Sequence, residues 1–218
     1  CLSLRAVTRP GDTVAVESPA YYLMLQLLET LGLKALEIPT DPHSGLSIEA
    51  LDLATREGKV AACLLVANAG NPLGSIMPDE NKRRLAKLTA ERGVAVIEDD
   101  IYGDLHFGHE RPWPIKAFDR ADNVMLCSSF SKCLSPALRI GFVAAGRYRR
   151  QVALQKTITS GGTNPITQQV LASVAATLVA AGTAAGASVY VDHPDELTAA
   201  MLPAIVVTCG PEQIEALG

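Results

Sequence analysis

The chain has 218 residues, 48% hydrophobic and 19% charged, with 19 Lys and Arg against 23 Asp and Glu for a formal net charge of -4. That composition supplies a large core and excludes a disordered tail, a miniature disulfide scaffold and, for the chain as a whole, a basic nucleic-acid-binding surface. The charge is uneven: Lys156 is the last basic residue, and beyond it stand only Asp192, Asp195, Glu196, Glu212 and Glu215.

Taken in order, short β-branched runs alternate with amphipathic stretches. Thr13 to Glu17, Ala35 to Ile38, Ala61 to Val66, Val94 to Glu98, Asn123 to Cys127 and Ile140 to Ala144 are expected as strands. Tyr22 to Leu31 is expected as a helix with Leu25, Leu28 and Leu31 on one face and a stop at Gly32. Ser47 caps a shorter helix to Thr55, and Pro78 to Arg92 forms a third that ends at Gly93. Such alternation predicts an α/β fold, a three-layer α/β/α sandwich on a mostly parallel sheet, with ligands collected at the carboxyl ends of the strands. After about Thr163 the character changes, and residues 172 to 187 hold eight alanines. A membrane span is not expected from Val170 to Val189, because Ala, Gly, Ser and Thr insert far less readily than Leu or Ile. Five scattered cysteines without a CxxC pair fit reduced thiols and a cytoplasmic setting.

Four strand ends carry polar residues that packing does not require. Glu17-Ser18-Pro19-Ala20-Tyr21-Tyr22 puts an aromatic pair after the first strand, where a ring could stack on a planar ligand or simply pack. Asn68-Ala69-Gly70-Asn71-Pro72-Leu73-Gly74 is first a turn signal, with Asn71 as a side-chain donor. Glu98-Asp99-Asp100-Ile101-Tyr102 closes a strand with three acids, which call for a cationic partner, a Mg²⁺ ion or solvent. Ser129-Phe130-Ser131-Lys132 with Arg139 seven residues on combines an amine that could attack a carbonyl with hydroxyls and a guanidinium that could hold a phosphate. Asn71, Asp99 and Lys132 lie 28 and 33 residues apart, about one βα unit each, which predicts one shared sheet edge.

In this order, Glu-x-Pro-x-Tyr at 17 to 21, Asn-Pro-x-Gly at 71 to 74, Glu-Asp-Asp-x-Tyr at 98 to 102, Ser-Phe-Ser-Lys at 129 to 132 and Pro-x-Leu-Arg-x-Gly at 136 to 141 carry a resemblance. From about Arg5 to Gln169 the chain resembles the large domain of fold type I pyridoxal-phosphate enzymes of the class I/II aminotransferase family. The branch it resembles holds the MocR-like regulators and the aminoadipate-type aminotransferases. The resemblance implies pyridoxal 5'-phosphate as cofactor, joined as an internal aldimine to Lys132, which then moves a proton. It implies Asp99 against the pyridinium nitrogen, Asn71 and Tyr102 at the phenolic oxygen, Tyr21 on the ring, and Ser129, Ser131 and Arg139 at the phosphate. No metal site is implied.

It further implies an amino acid and a 2-oxo acid as substrates and a homodimer whose site is shared across the interface, with no membrane and no nucleic acid bound by this chain. On this reading residues 1 to 170 form a cofactor-binding large domain lacking its N-terminal glycine-rich loop, and 171 to 218 an Ala-rich helix with an unassigned segment. The family's small domain supplies an arginine for the substrate carboxylate, and the stretch beyond Lys156 has none, so that domain is expected to be missing or aberrant and activity impaired. The same resemblance leaves open an effector-sensing domain of a MocR/GntR-type transcription regulator separated from its DNA-binding domain.

Overall fold

The computed structural model describes residues 1 to 180 together with 189–190 and 205–206. Its elements are α1 (Leu2–Val7), β1 (Thr13–Ser18), α2 (Tyr22–Thr30), β2 (Lys34–Asp41), β3 (Gly45–Leu46), α3 (Ile48–Thr55), β4 (Val60–Leu65), α4 (Asp79–Arg92), β5 (Ala95–Asp99), β6 (Val124–Ser129), β7 (Gly141–Ala144), α5 (Arg149–Ser160) and α6 (Pro165–Ala180). A seven-stranded sheet runs in the order β3-β2-β1-β4-β5-β6-β7. The pairs from β2 through β6 are parallel, and only the edge strands β3 and β7 are antiparallel. The chain moves outward from β1 to β2 and then returns to place β4 on the other side of β1, so the order reverses between β1 and β4. Crevices at such a reversal, beyond the carboxyl ends, are where open α/β sheets take ligands.

Period-2 alternation divides the apolar strand residues between two cores. Ala15, Cys63, Leu65, Val96 and Val124 face α3 and α4 through Leu51, Leu85 and Ala86. Val14, Val16, Ala62, Leu64, Ala95, Ile97 and Met125 face α1, α2 and α5 through Leu4, Met24, Leu28 and Val152. Both faces are covered, as a parallel sheet requires, and the expected three-layer sandwich is formed.

The helix signals act as read. Ser47 Oγ accepts a hydrogen bond from Ala50 N at 3.2 Å, and α4 opens with Asp79 and Glu80 in its first turn and stops at Gly93 with φ 68°. In α2 the inward stripe differs from expectation. Met24 and Leu28 are buried whereas Leu25 is exposed, because the stripe follows i, i+4, i+7 from Met24 rather than from Leu25. The Ala-rich helix begins earlier than residue 171, at Pro165; the segment after 180, apart from 189–190 and 205–206, lies outside the described residues. Among the described residues no helix is long and apolar enough to cross a membrane.

Leu65 is fully buried at the centre of the sheet. Leu65→Ala is expected to cost about 2–5 kcal/mol, read as a lower urea midpoint at unchanged m-value.

Candidate functional site

Every residue singled out in sequence falls on the carboxyl edge of the sheet or on the loops leaving it. Tyr21 caps α2 just after β1, and its ring meets that of Tyr22 edge-on at 5.0 Å. Tyr21, Tyr102 and Cys127 all pack on the core between the sheet and α2, so the β1, β5 and β6 ends converge on one apolar floor. Asn71 sits in a compact loop after β4, held by Gly70 N to Ser75 O at 3.0 Å and Met77 N to Ala67 O at 2.8 Å.

The turn carrying Lys132 is built by the chain around it. Phe130 N donates to Ile140 O, while Leu134 N and Ser135 N both donate to Phe130 O. Phe130 and Ile140 are buried against Leu171 of α6, which anchors both ends of the 131 to 139 excursion. Lys132 therefore stands exposed at its outer end, with Nζ 5.8 Å from the centre of the Tyr102 ring. Ser129 Oγ accepts from Ser131 N at 3.3 Å, and Arg139 holds a left-handed backbone at φ 52° with Nη1 towards Pro136 O at 3.4 Å. A side chain there costs about 1–2 kcal/mol in backbone strain, so the position is held by its surroundings. Serines and arginine thus border the lysine turn, but the arginine's nearest partner is its own 3₁₀ turn.

Two residues later the chain passes so close to β6 that a Cβ on Gly141 would stand 2.6 Å from Ser128 O. Only glycine fits. That close approach pairs β7 with β6 and returns Arg139 to the edge at which Ser129 ends.

The three consecutive acids separate by alternation. Glu98 turns under the sheet, where its carboxylate accepts from Ile115 N at 2.7 Å and Lys116 N at 3.1 Å. Asp100 turns to the same side and pairs with Arg111. Asp99 alone points to the α2 side, where burial, followed by repulsion from Asp100, outweighs the Ile101 N–H bond and raises its carboxyl above the ordinary range. Among the described residues no group of three or more His, Cys, Asp or Glu side chains converges on one point, so the three acids do not form a cation cage.

Several buried polar residues next to this edge escaped the sequence reading. Glu17 is 5% exposed and accepts from Val66 N at 2.9 Å, tying β1 to β4 at the reversal point. Lys82 of α4 is fully buried and donates to Asn68 Oδ1 at 2.9 Å. The signal for Lys82 was present: it occupies the first position of the inward stripe Lys82, Leu85, Ala86, Thr89, where the period demands an apolar residue. A hollow of about 670 Å³ runs along α6 between Pro165 and Thr177 and includes none of these residues.

The sequence signature of class I and II aminotransferases matches residues 2–193. The chain belongs to that family. It is 49% identical over 166 residues to the HTH-type transcriptional regulator YdcR of Escherichia coli, covering 76% of this chain and 36% of the regulator. It is 32% identical over 151 residues to the 2-aminoadipate transaminase of Thermus thermophilus, covering 68% and 37%. Among solved structures, LysN, the α-aminoadipate aminotransferase of Thermus thermophilus complexed with N-(5'-phosphopyridoxyl)-L-leucine, superposes with a TM-score of 0.75 at 26% identity, over 83% of this chain and 48% of that one. The chain thus spans about a third of the length of these two curated relatives.

Burial pushes the Glu17 carboxyl up to about 7, against the opposing pull of the Val66 N–H. Since the folded value lies above the unfolded one, the folded state holds the extra proton between about pH 4.5 and 7, and stability falls as pH rises through that window. Glu17→Gln keeps the acceptor for Val66 N. It should leave stability unchanged near pH 4 and raise it by on the order of a few kcal/mol near pH 8, read as a higher Tm in a pH series of thermal melts.

Proposed function

We propose that this family member binds pyridoxal 5'-phosphate at the carboxyl edge of its sheet and uses it to move an amino group between an amino acid and a 2-oxo acid, as one half of a homodimer in which residues 1 to 170 form the cofactor-binding domain. The observation that carries the reading is one carboxylate, Asp99, half-buried on the opposite face of β5 from the buried Glu98 and Asp100, with an exposed amine, Lys132, in the loop after the neighbouring strand β6. A carboxylate held partly away from water is costly to ionise, and a protonated ring nitrogen facing it lowers that cost.

The donor set fits the cofactor chemically. Lys132 offers the amine for its aldehyde carbon, Ser129, Ser131 and Arg139 offer the hydroxyls and guanidinium that suit a phosphate dianion, and Asn71 and Tyr102 offer donors for its phenolic oxygen. Tyr21 lies on the apolar floor as a stacking surface. When bound, the cofactor supplies an electron sink for bonds at the substrate α-carbon. The protein's part is to hold the ring against Asp99, orient it through Asn71 and Tyr102, and take and return the α-proton at Lys132 Nζ.

A second reading is favoured by the relatives. YdcR and YjiR of Escherichia coli, 49% and 46% identical, are both described as HTH-type transcriptional regulators. In that reading the same edge senses an amino compound through the same lysine without turnover, as the effector domain of a regulator.

Pyridoxal phosphate added to the chain should produce a visible absorbance band, and borohydride should fix a mass increment on the peptide carrying Lys132. Lys132→Ala should show neither. Asp99→Ala should weaken binding by roughly 10- to 100-fold, the cost of losing one charge-assisted contact. Addition of an amino acid that converts the bound cofactor to its amine form supports transfer; a shifted band without conversion supports sensing.

A further inference from the structure

We propose that the buried chain of side chains Lys82–Asn68–Asp100–Arg111 is the positioning device for the ring-binding half of the site, fixing the loop of Asn71 against the loop of Asp99 and Tyr102 independently of the phosphate-binding half at Ser129 and Arg139. The inference rests on the pyridoxal phosphate reading above and adds residues that are not themselves among the cofactor's proposed contacts.

Three links make the chain continuous. Lys82 Nζ donates to Asn68 Oδ1 at 2.9 Å, Asn68 Nδ2 donates to Asp100 Oδ1 at 2.9 Å, and Arg111 Nη2 donates to Asp100 Oδ2 at 2.5 Å. It crosses from α4 to the β4 loop, then to the end of β5 and on to the segment before the 3₁₀ turn Ile115–Phe118. Lys82, Asn68 and Asp100 are each no more than 1% exposed. Burying such charges is no gain in stability over a packed apolar stripe, so a Lys at the inward position of α4 calls for what it orients rather than for what it stabilises.

What it orients is specific. Asn68 is one stem of the loop that carries Asn71, bridged to Ile76 on the other stem. That loop is closed by backbone hydrogen bonds of its own, so it moves as a unit, and the Asn68 side chain joins it to β5. Asp100 is adjacent to Asp99. Its backbone N donates to Cys127 O at 2.9 Å, its carbonyl accepts from Ser128 Oγ at 3.1 Å, and its carboxylate is gripped from two sides. With Asp100 fixed in rotation on one face, alternation fixes the direction of Asp99 on the other.

Gly103 confirms that the packing is made for this chain. A Cβ there would stand 2.6 Å from Asp100 Oδ1 and 2.7 Å from Arg111 Nη2, so a glycine directly after Tyr102 lets the guanidinium reach the carboxylate. Arg111 Nε also meets Asp104 Oδ1 at 2.7 Å, which closes the far end of the chain on the same loop.

The test compares two ligands on the full chain: pyridoxal phosphate, read by absorbance titration, and inorganic phosphate, read as its competitor. Lys82→Met and Asn68→Leu, folded by circular dichroism, should each raise the pyridoxal phosphate Kd on the order of tenfold, the scale on which outer-shell partners support a ligating group. The inhibition constant of phosphate should stay within about twofold, and the double variant should lose much less than the product of the single losses. If Lys82→Met does not fold, Arg111→Gln makes the same comparison from the less buried end, where the side chain is 9% exposed. An unchanged Kd in the folded variants, or equal losses for both ligands, overturns the inference and leaves the cofactor reading standing. Phosphate that fails to compete in the parent removes the two-half arrangement and overturns it too. A parent chain that gives no band at all overturns both.

Discussion

A β-strand presents successive side chains to opposite faces, and at the end of β5 this alternation acts on three acids in a row. Glu98 and Asp100 go to the α4 side, where backbone N–H groups and Arg111 meet them. Asp99 goes alone to the α2 side, onto the apolar floor shared with Tyr21 and Tyr102. The rest of the edge follows from that division. Partners on the α4 side hold the strand end from two sides, and the carboxylate on the α2 side is the half-buried one of the three.

The lysine turn answers a second constraint. A parallel sheet ends its strands at one edge, and an exposed amine there needs a support that does not itself fill the crevice. The chain solves this by making β7 antiparallel to β6, so that residues 131 to 139 form an excursion anchored at both ends by Phe130 and Ile140. The close pass at Gly141 is the condition for that pairing, since any side chain would press on the Ser128 carbonyl. Lys132 and Arg139 therefore belong to one short excursion, and their seven-residue spacing is the length of its outer part.

Much of this was legible in sequence because it is written in short-range patterns. Strand periodicity, the Ser47 cap and the Gly93 stop depend on neighbours within a turn or two, and the 28- and 33-residue spacings place Asn71, Asp99 and Lys132 on adjacent strand ends. What was not legible depends on partners far apart in the chain. Which acid of three faces the crevice is named in sequence only through the family resemblance, since in the fold it is set by the register of β5 against β4 and β6. The burial of Glu17 is set by Val66, 49 residues away, and that of Lys82 by Asn68. The inward stripe of α2 departs from the expected one because Leu25 and Met24 are both apolar, and only the packed sheet decides between them.

The carboxylates at this edge detract from stability rather than add to it. Glu17, Glu98 and Asp99 all have their carboxyls pushed up, and in each case burial is the first cause. Each therefore weakens the fold as pH rises through the range in which it must ionise. Glu17 and Glu98 are offset by backbone donors that join strand to strand or strand to loop, so their cost is spent on the shape of the crevice. Asp99 has one such donor, Ile101 N–H, and stands next to Asp100, a second carboxylate. A cation placed against it would lower that cost further, and a ligand that binds the folded state alone returns free energy as stability in proportion to its occupancy. The proposed transfer and sensing readings make the same demand on Asp99, because both set a protonated ring nitrogen against its carboxylate.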